Sequence, residues 1–189
     1  MRRVFFFPIL LFPILVFALA LVPAPAHAFG IGVGAFGGAC FPISQDDVES
    51  GSTFGARLPV TLIPLVSVEP YYASSSLGDG EITTGGTTTT IDGFEITSYG
   101  VNAFLGSLGV VPGIGFHPYV GIASTKLSRS GSADITKTSY NFGLGAALGL
   151  AKSLSVTGRA ELNVVDTGDE TRKFGNVTLG LAYQLFHKP

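Results

Sequence analysis

Beyond residue 28 the chain has two histidines, His117 and His187, and an imidazole is the side chain best suited to act as a general base near neutral pH. Neither has the company that group transfer requires. His117 stands in GIGFHPYVGIAS with no serine or acid at a recognisable offset, and His187 stands in LFHKP. The expectation is a polar rim residue at His117, no catalytic residue and no enzyme. His117 also lacks a second His, Cys or acid at ligand spacing, so neither a metal site nor a cofactor site is predicted. Two acidic groups, Asp46, Asp47 and Glu49, and Asp166, Asp169 and Glu170, carry the residue type for weak calcium binding, but they read first as a solvated acidic surface. Cys40 is the only cysteine, which excludes an internal disulfide. Gly37 stands where a lipoprotein signal wants leucine, so Cys40 is expected as a small wall residue and not as a lipid anchor.

The constellation with most chemistry in it is Arg57, Glu69, Arg159 and Glu161, each set among alternating apolar residues. Ionisable groups on such segments must pair or reach water. They could serve a gate or polar filter, or they could be structural ion pairs filling a narrow interior. The second is expected, because a small barrel has room for side chains and little else.

The elements that position these residues lie behind a leader. Met1-Arg2-Arg3, the apolar run from Val4 to Val22 and Pro-Ala-Pro-Ala-His-Ala at positions 23–28 have the form of a secretory signal peptide, with Ala26-x-Ala28 as cleavage pattern. Residues 1–28 are expected to be removed and 29–189 to form one barrel domain. Loss of Arg2 and Arg3 from 11 basic residues leaves nine against 13 acids, a net charge of −4. Such a chain has no basic patch for nucleic acid. All 26 glycines fall after residue 28. No later apolar run is long enough for a transmembrane helix.

Turn signals divide the remainder into eight strand-like segments at about 29–40, 53–62, 65–74, 93–105, 114–126, 139–150, 154–165 and 174–186. The connections after the first, third, fifth and seventh are long and polar, and those after the second, fourth and sixth are short. In an up-and-down antiparallel meander, alternate connections lie at opposite ends, so one end is shaggy and the other trimmed. A membrane barrel with long extracellular loops and both termini in the periplasm has this arrangement.

The faces choose between a membrane barrel and a soluble one. In SLSVTGRAELNVV, residues 153–165, Leu154, Val156, Gly158, Ala160, Leu162 and Val164 alternate with Ser155, Thr157, Arg159, Glu161 and Asn163. Elsewhere glycine shares the polar face with Asn, Arg and Glu, which suits a crowded lumen; on a solvated surface glycine would only weaken the strand. The apolar set then faces lipid, with Tyr72, Tyr99, Tyr140 and Tyr183 as interfacial residues. A tight turn at Ile63-Pro64 predicts that Val60 meets Val66, Leu58 meets Val68 and Arg57 meets Glu69. The loop containing Thr83 to Thr90 is expected as a flexible tip.

With eight amphipathic strands, HPYVGIA opening the fifth and FGNVTLGLAYQLF closing the series, the chain resembles the small outer-membrane β-barrel superfamily of OmpA-, OmpX- and opacity-protein-like barrels. The likeness covers residues 29–186. It implies an all-β, eight-stranded antiparallel transmembrane barrel in the bacterial outer membrane. Implied partners are outer-membrane lipid, including lipopolysaccharide, and the barrel assembly machinery, whose signal the closing strand is similar to. That signal ends on an aromatic residue, whereas here His187-Lys188-Pro189 follow Phe186. The expected role is non-enzymatic: envelope integrity or surface interaction through the loops. The alternatives are a small channel or carrier for a hydrophobic or small polar solute, and a lipid-modifying barrel enzyme of the outer leaflet. A resemblance to the lipid A deacylase barrels would need His-x-Ser near the outer-leaflet end, and His117, at the opposite end, is followed by Pro118 and Tyr119.

Overall fold

The structure is a computed structural model that describes residues 29–43, 48–63, 66–106, 108–111, 114–168 and 171–188. The expected leader at 1–28 and the acids Asp46, Asp47, Asp169 and Glu170 lie outside the described residues.

Strands β1 (Phe29–Ile43), β2 (Val48–Glu49), β3 (Gly51–Arg57), β4 (Val60–Ile63), β5 (Val66–Thr84), β6 (Thr87–Ile91), β7 (Phe94–Leu105), β8 (Leu108–Val111), β9 (Ile114–Ser128), β10 (Ile135–Gly149), β11 (Leu154–Asp166) and β12 (Thr171–Lys188) follow in chain order. Eight of them close a ring: β1, β3, β5, β7, β9, β10, β11 and β12, each antiparallel to the next, with β12 returning to β1 from Phe29↔Lys188 to Ile43↔Lys173. Closure pairs every strand on both sides. Within a bilayer this is the arrangement that leaves no sheet edge unsatisfied.

Period two holds around the ring. Leu179, Leu185 and Ile122 are more than half exposed on the outer wall, while Glu69, Asn102, Asn141 and Thr125, on the opposite face of their strands, are almost fully buried. Tyr72 and Tyr99 are register partners on that outer wall toward the long-connection end, with Tyr140 exposed on the same side; Tyr183 is exposed near the short-turn end, opposite Leu154.

Two local expectations are corrected. The second barrel strand is broken at Leu58-Pro59 into β3 and β4, and its register with β5 is two residues away from the tight-turn prediction. Val60 pairs with Val68, Arg57 with Tyr71, and Leu58 Nα donates to the Pro70 carbonyl at 2.9 Å. An even shift keeps every side chain on its face, so the alternation could not detect it. Pro59 has no N–H to give, but its carbonyl still accepts from Gly32 Nα at 2.8 Å. The threonine-rich segment, expected as a loop, is instead a hairpin, with β5 running past the barrel wall to pair with β6. Its two-residue turn, Gly85-Gly86, has φ of 62° and 85°, the left-handed conformation that a tight hairpin requires and glycine adopts without strain.

Candidate functional site: the layered barrel interior

From the long-connection end inward, the interior begins dry. Val48, Leu77, Phe94, Ile96, Leu127, Val165, Phe174 and Cys40 form a buried apolar cluster inside the barrel mouth. Phe94 is covered by two guanidinium groups, Arg129 at 4.1 Å and Arg172 at 4.5 Å from the ring centroid. Arg129 is fixed there by its Nε donating to the Asp92 carbonyl at 2.7 Å. Beneath lies a belt of hydroxyls: Ser75 donates to Thr53 at 2.7 Å, and Thr125 bridges Ser98 at 2.9 Å and Ser139 at 2.6 Å.

The third layer is built around Glu161. Its carboxylate accepts from four neutral donors: Asn163 at 2.9 Å, Tyr119 Oη at 3.0 Å, Asn141 at 3.3 Å and Asn176 at 3.4 Å. Those four donors match the acceptor capacity of a carboxylate. Asn141 also reaches Asn102 Oδ1 at 2.6 Å, although their strands are separated by β9. The residue between them is Gly121, register partner of both. A Cβ there would collide with both amide oxygens, so this glycine is the space that lets the two side chains meet. Gly143 makes room for the Tyr119 ring in the same way.

The fourth layer holds the remaining charges. Arg159 on β11 donates two parallel hydrogen bonds to Glu69 on β5, Nη1 to Oε1 at 2.5 Å and Nη2 to Oε2 at 2.7 Å. Its guanidinium also lies over Phe104 at 4.9 Å and Tyr119 at 5.4 Å, two rings that stack on each other with centroids 4.8 Å apart. Arg57, only 3 % exposed, donates through Nη2 to Thr157 Oγ1 and packs over Phe36 at 5.3 Å. Glu69 and Arg57 are thus two residues out of register, and the acid is held by Arg159. Arg159 and Glu161, two apart on one strand, take different partners.

Below these layers the interior opens. A cavity of about 380 Å³ is bounded by Arg57, Glu69, Thr157 and Arg159 on its inner side and by short-turn residues such as Pro59, Lys152 and Ser153 on its outer side. His117 lines it, and its ring Nδ1 donates to the Gly106 carbonyl at 2.9 Å. Among the described residues no group of three or more His, Cys, Asp or Glu side chains could hold a metal. Of the acidic loop residues, Asp166 uses its carboxylate on the Gly168 amide at 2.9 Å, an Asx-type turn contact.

The asparagine cluster and the Tyr119–Glu161 bond escaped the sequence reading, which put asparagines and glycines on the polar face without assigning them partners. The usable signal was Gly121 and Gly143, small residues on the inner face opposite large polar ones.

Comparison with known proteins agrees with this architecture. Neisserial surface protein A has TM-score 0.63 at 13% identity, over 82% of this chain and 97% of that one. The N-terminal β-barrel domain of OprF from Pseudomonas aeruginosa has TM-score 0.52 at 15% identity, over 82% and 97% respectively. OprG from the same organism has TM-score 0.53 at 12% identity, over 85% and 98%. At these identities the likeness is one of fold. No curated protein matches the sequence significantly. The sequence itself matches the outer membrane protein beta-barrel domain over residues 10–184, nearly its full length. With a closed ring of eight antiparallel strands, an apolar outer wall and a polar interior, the chain belongs to the outer-membrane β-barrel family.

Proposed function

We propose that this barrel is a non-enzymatic surface protein of the outer membrane, with the long-connection end outside the cell, both termini in the periplasm, and a role in envelope integrity or surface interaction. The observation that carries the reading is the layered interior. Apolar cluster, hydroxyl belt, amide–carboxylate network and cross-barrel ion pair succeed one another, and this speaks for the ionisable side chains Arg57, Glu69, Arg159 and Glu161 as structural filling. The hydrogen bond from His117 to a backbone carbonyl anchors its ring and supports a structural role for it. The projecting β5–β6 hairpin offers an exposed, threonine-lined surface for contact outside the membrane. Lipopolysaccharide and other outer-membrane lipid are the partners of the apolar wall, and β12 is the strand the barrel assembly machinery reads.

Protease shaving of intact cells tests the topology. Cleavage confined to the connections at 44–50, 78–93, 129–134 and 167–170 is expected. Cuts at 151–153 in intact cells would overturn the orientation.

A further inference from the structure

The β5–β6 hairpin stands beyond the barrel wall and ends in an open edge. β5 is one unbroken strand from Val66 to Thr84; its last partner on β7 is Phe94, opposite Leu77, and from Gly80 to Thr84 it pairs with β6. Among the described residues no strand lies on the other side of β6. The two-residue turn makes Thr84 and Thr87 a hydrogen-bonded pair, so Thr83 and Thr88 form the next, non-hydrogen-bonded one. Their hydroxyls are 3.0 Å apart, in keeping with the close side chains of such a pair. Alternation along the ladder then turns the N–H and C=O of Thr88 and of Thr90 away from β5 and out along the free edge.

An edge of this kind invites another strand, and proteins usually blunt it with lysine, proline or a bulge. From Thr87 to Ile91 β6 has no charge, no proline and no register shift. Its β-branched side chains suit an extended neighbour. The edge is also self-complementary. About a two-fold axis at Thr89, Thr88 of one copy faces Thr90 of the other, so the outward N–H groups of each copy meet the outward carbonyls of its partner. No charged residue opposes a like one in that register, where Thr89 faces Thr89 and Thr87 faces Ile91.

Direction decides where the second copy stands. Copies in one membrane send β6 back toward that membrane in the same sense. With strands tilted about 35–45° from the barrel axis, a two-fold along the membrane normal crosses two such edges and does not align them. Copies in facing membranes run β6 in opposite senses, as antiparallel pairing requires.

We propose that β6 is a self-pairing edge, through which two copies of this chain in facing membranes join their β5–β6 hairpins into one continuous sheet. The proposal deepens the surface-interaction reading and rests on it for contact between cells. One edge of 5 residues is short, and many copies per membrane multiply its strength.

The test uses the full chain in phosphatidylcholine vesicles, prepared with copies inserted in both directions so that hairpins stand outside whatever the orientation in the cell. Energy transfer between two dye-labelled vesicle populations reads clustering. Parent vesicles are expected to cluster, and Thr89→Lys, which sets two ammonium groups against each other at the two-fold axis, is expected to reduce the transfer about fivefold. Thr89→Glu is expected to do the same, and mixing vesicles of the two variants should restore it. Thr89 is exposed beyond the barrel, and heat-modifiable migration checks that both variants keep the fold. Absence of clustering, clustering that survives Thr89→Lys, or a mixture no better than its components would overturn the proposal; the last two would leave the edge to a partner of other chemistry. Protease shaving of cells reads the orientation independently, so the two readings fail separately.

Discussion

Arg159 and Glu69 join opposite walls of the barrel: β11 and β5 are four places apart in a ring of eight, and their side chains meet head-on through two hydrogen bonds of 2.5 and 2.7 Å. The Glu69 side chain is 2% exposed and that of Arg159 14%, so the pair is a strut inside the barrel and not a surface contact. Removing one partner leaves a buried charge alone. Glu69→Gln and Arg159→Gln are each expected to cost about 3–5 kcal/mol in denaturant unfolding from lipid vesicles. The double substitution should cost clearly less than the sum of the singles, because it strands no charge. Additive losses would mean that the two residues do not act as a pair.

The asparagine–glutamate layer depends on an absent side chain. Gly121→Ala puts a methyl group into the Asn102 and Asn141 oxygens and is expected to destabilise by about 1–3 kcal/mol. Gly149→Ala, where nothing lies within 4 Å, should stay within about 0.5 kcal/mol of the parent. Parallel unfolding curves of the two variants make the comparison.

Cys40 is fully buried among Val165, Phe174 and their neighbours. A maleimide reagent is expected to leave it unmodified in the folded barrel and to label it fully after denaturation. Mass spectrometry reads the outcome, and rapid labelling of the folded protein would show that the apolar mouth opens.

Near the connection after β9, Lys126 Nζ and Asp134 Oδ2 are 2.6 Å apart, and the hydrogen bond from Lys126, assisted by Ser128, holds the Asp134 carboxyl below its usual pKa. A carboxylate with a lowered folded-state pKa contributes stability above its unfolded value and loses it as pH falls through the folded one. The turn at 129–134 is therefore expected to be protected at neutral pH and to loosen only under acid conditions below the ordinary carboxylate range. Backbone amide shifts of these residues against pH provide the measurement, and Lys126→Ala should move the transition upward. The pair is exposed, so global stability should hardly change.

Stacked packing across the lumen also predicts electrical silence. Planar-bilayer recording is expected to show no steady openings in the parent protein. A persistent conductance abolished by Arg57→Ala or Glu69→Ala would favour an ion path through these side chains.

Much of the molecule was legible in the order of its residues. Strict alternation around Arg159 and Glu161 assigns them to the inner face, because a strand turns successive side chains to opposite sides. The alternation of long and short connections likewise follows from a meander, where neighbouring strands run in opposite directions. Which inner residues touch was not legible. Period two is blind to a shift of two residues, so Arg57 opposite Glu69 and Arg57 opposite Tyr71 satisfy the pattern equally. Only ring closure decides contacts across the lumen, since it brings together strands such as β5 and β11 that share no turn and no ladder. The Arg159–Glu69 strut comes from that closure, whereas Asn102 and Asn141 meet over Gly121 because both are its register partners on the flanking strands. Face is a local property of the chain, while partnership depends on where the far wall arrives.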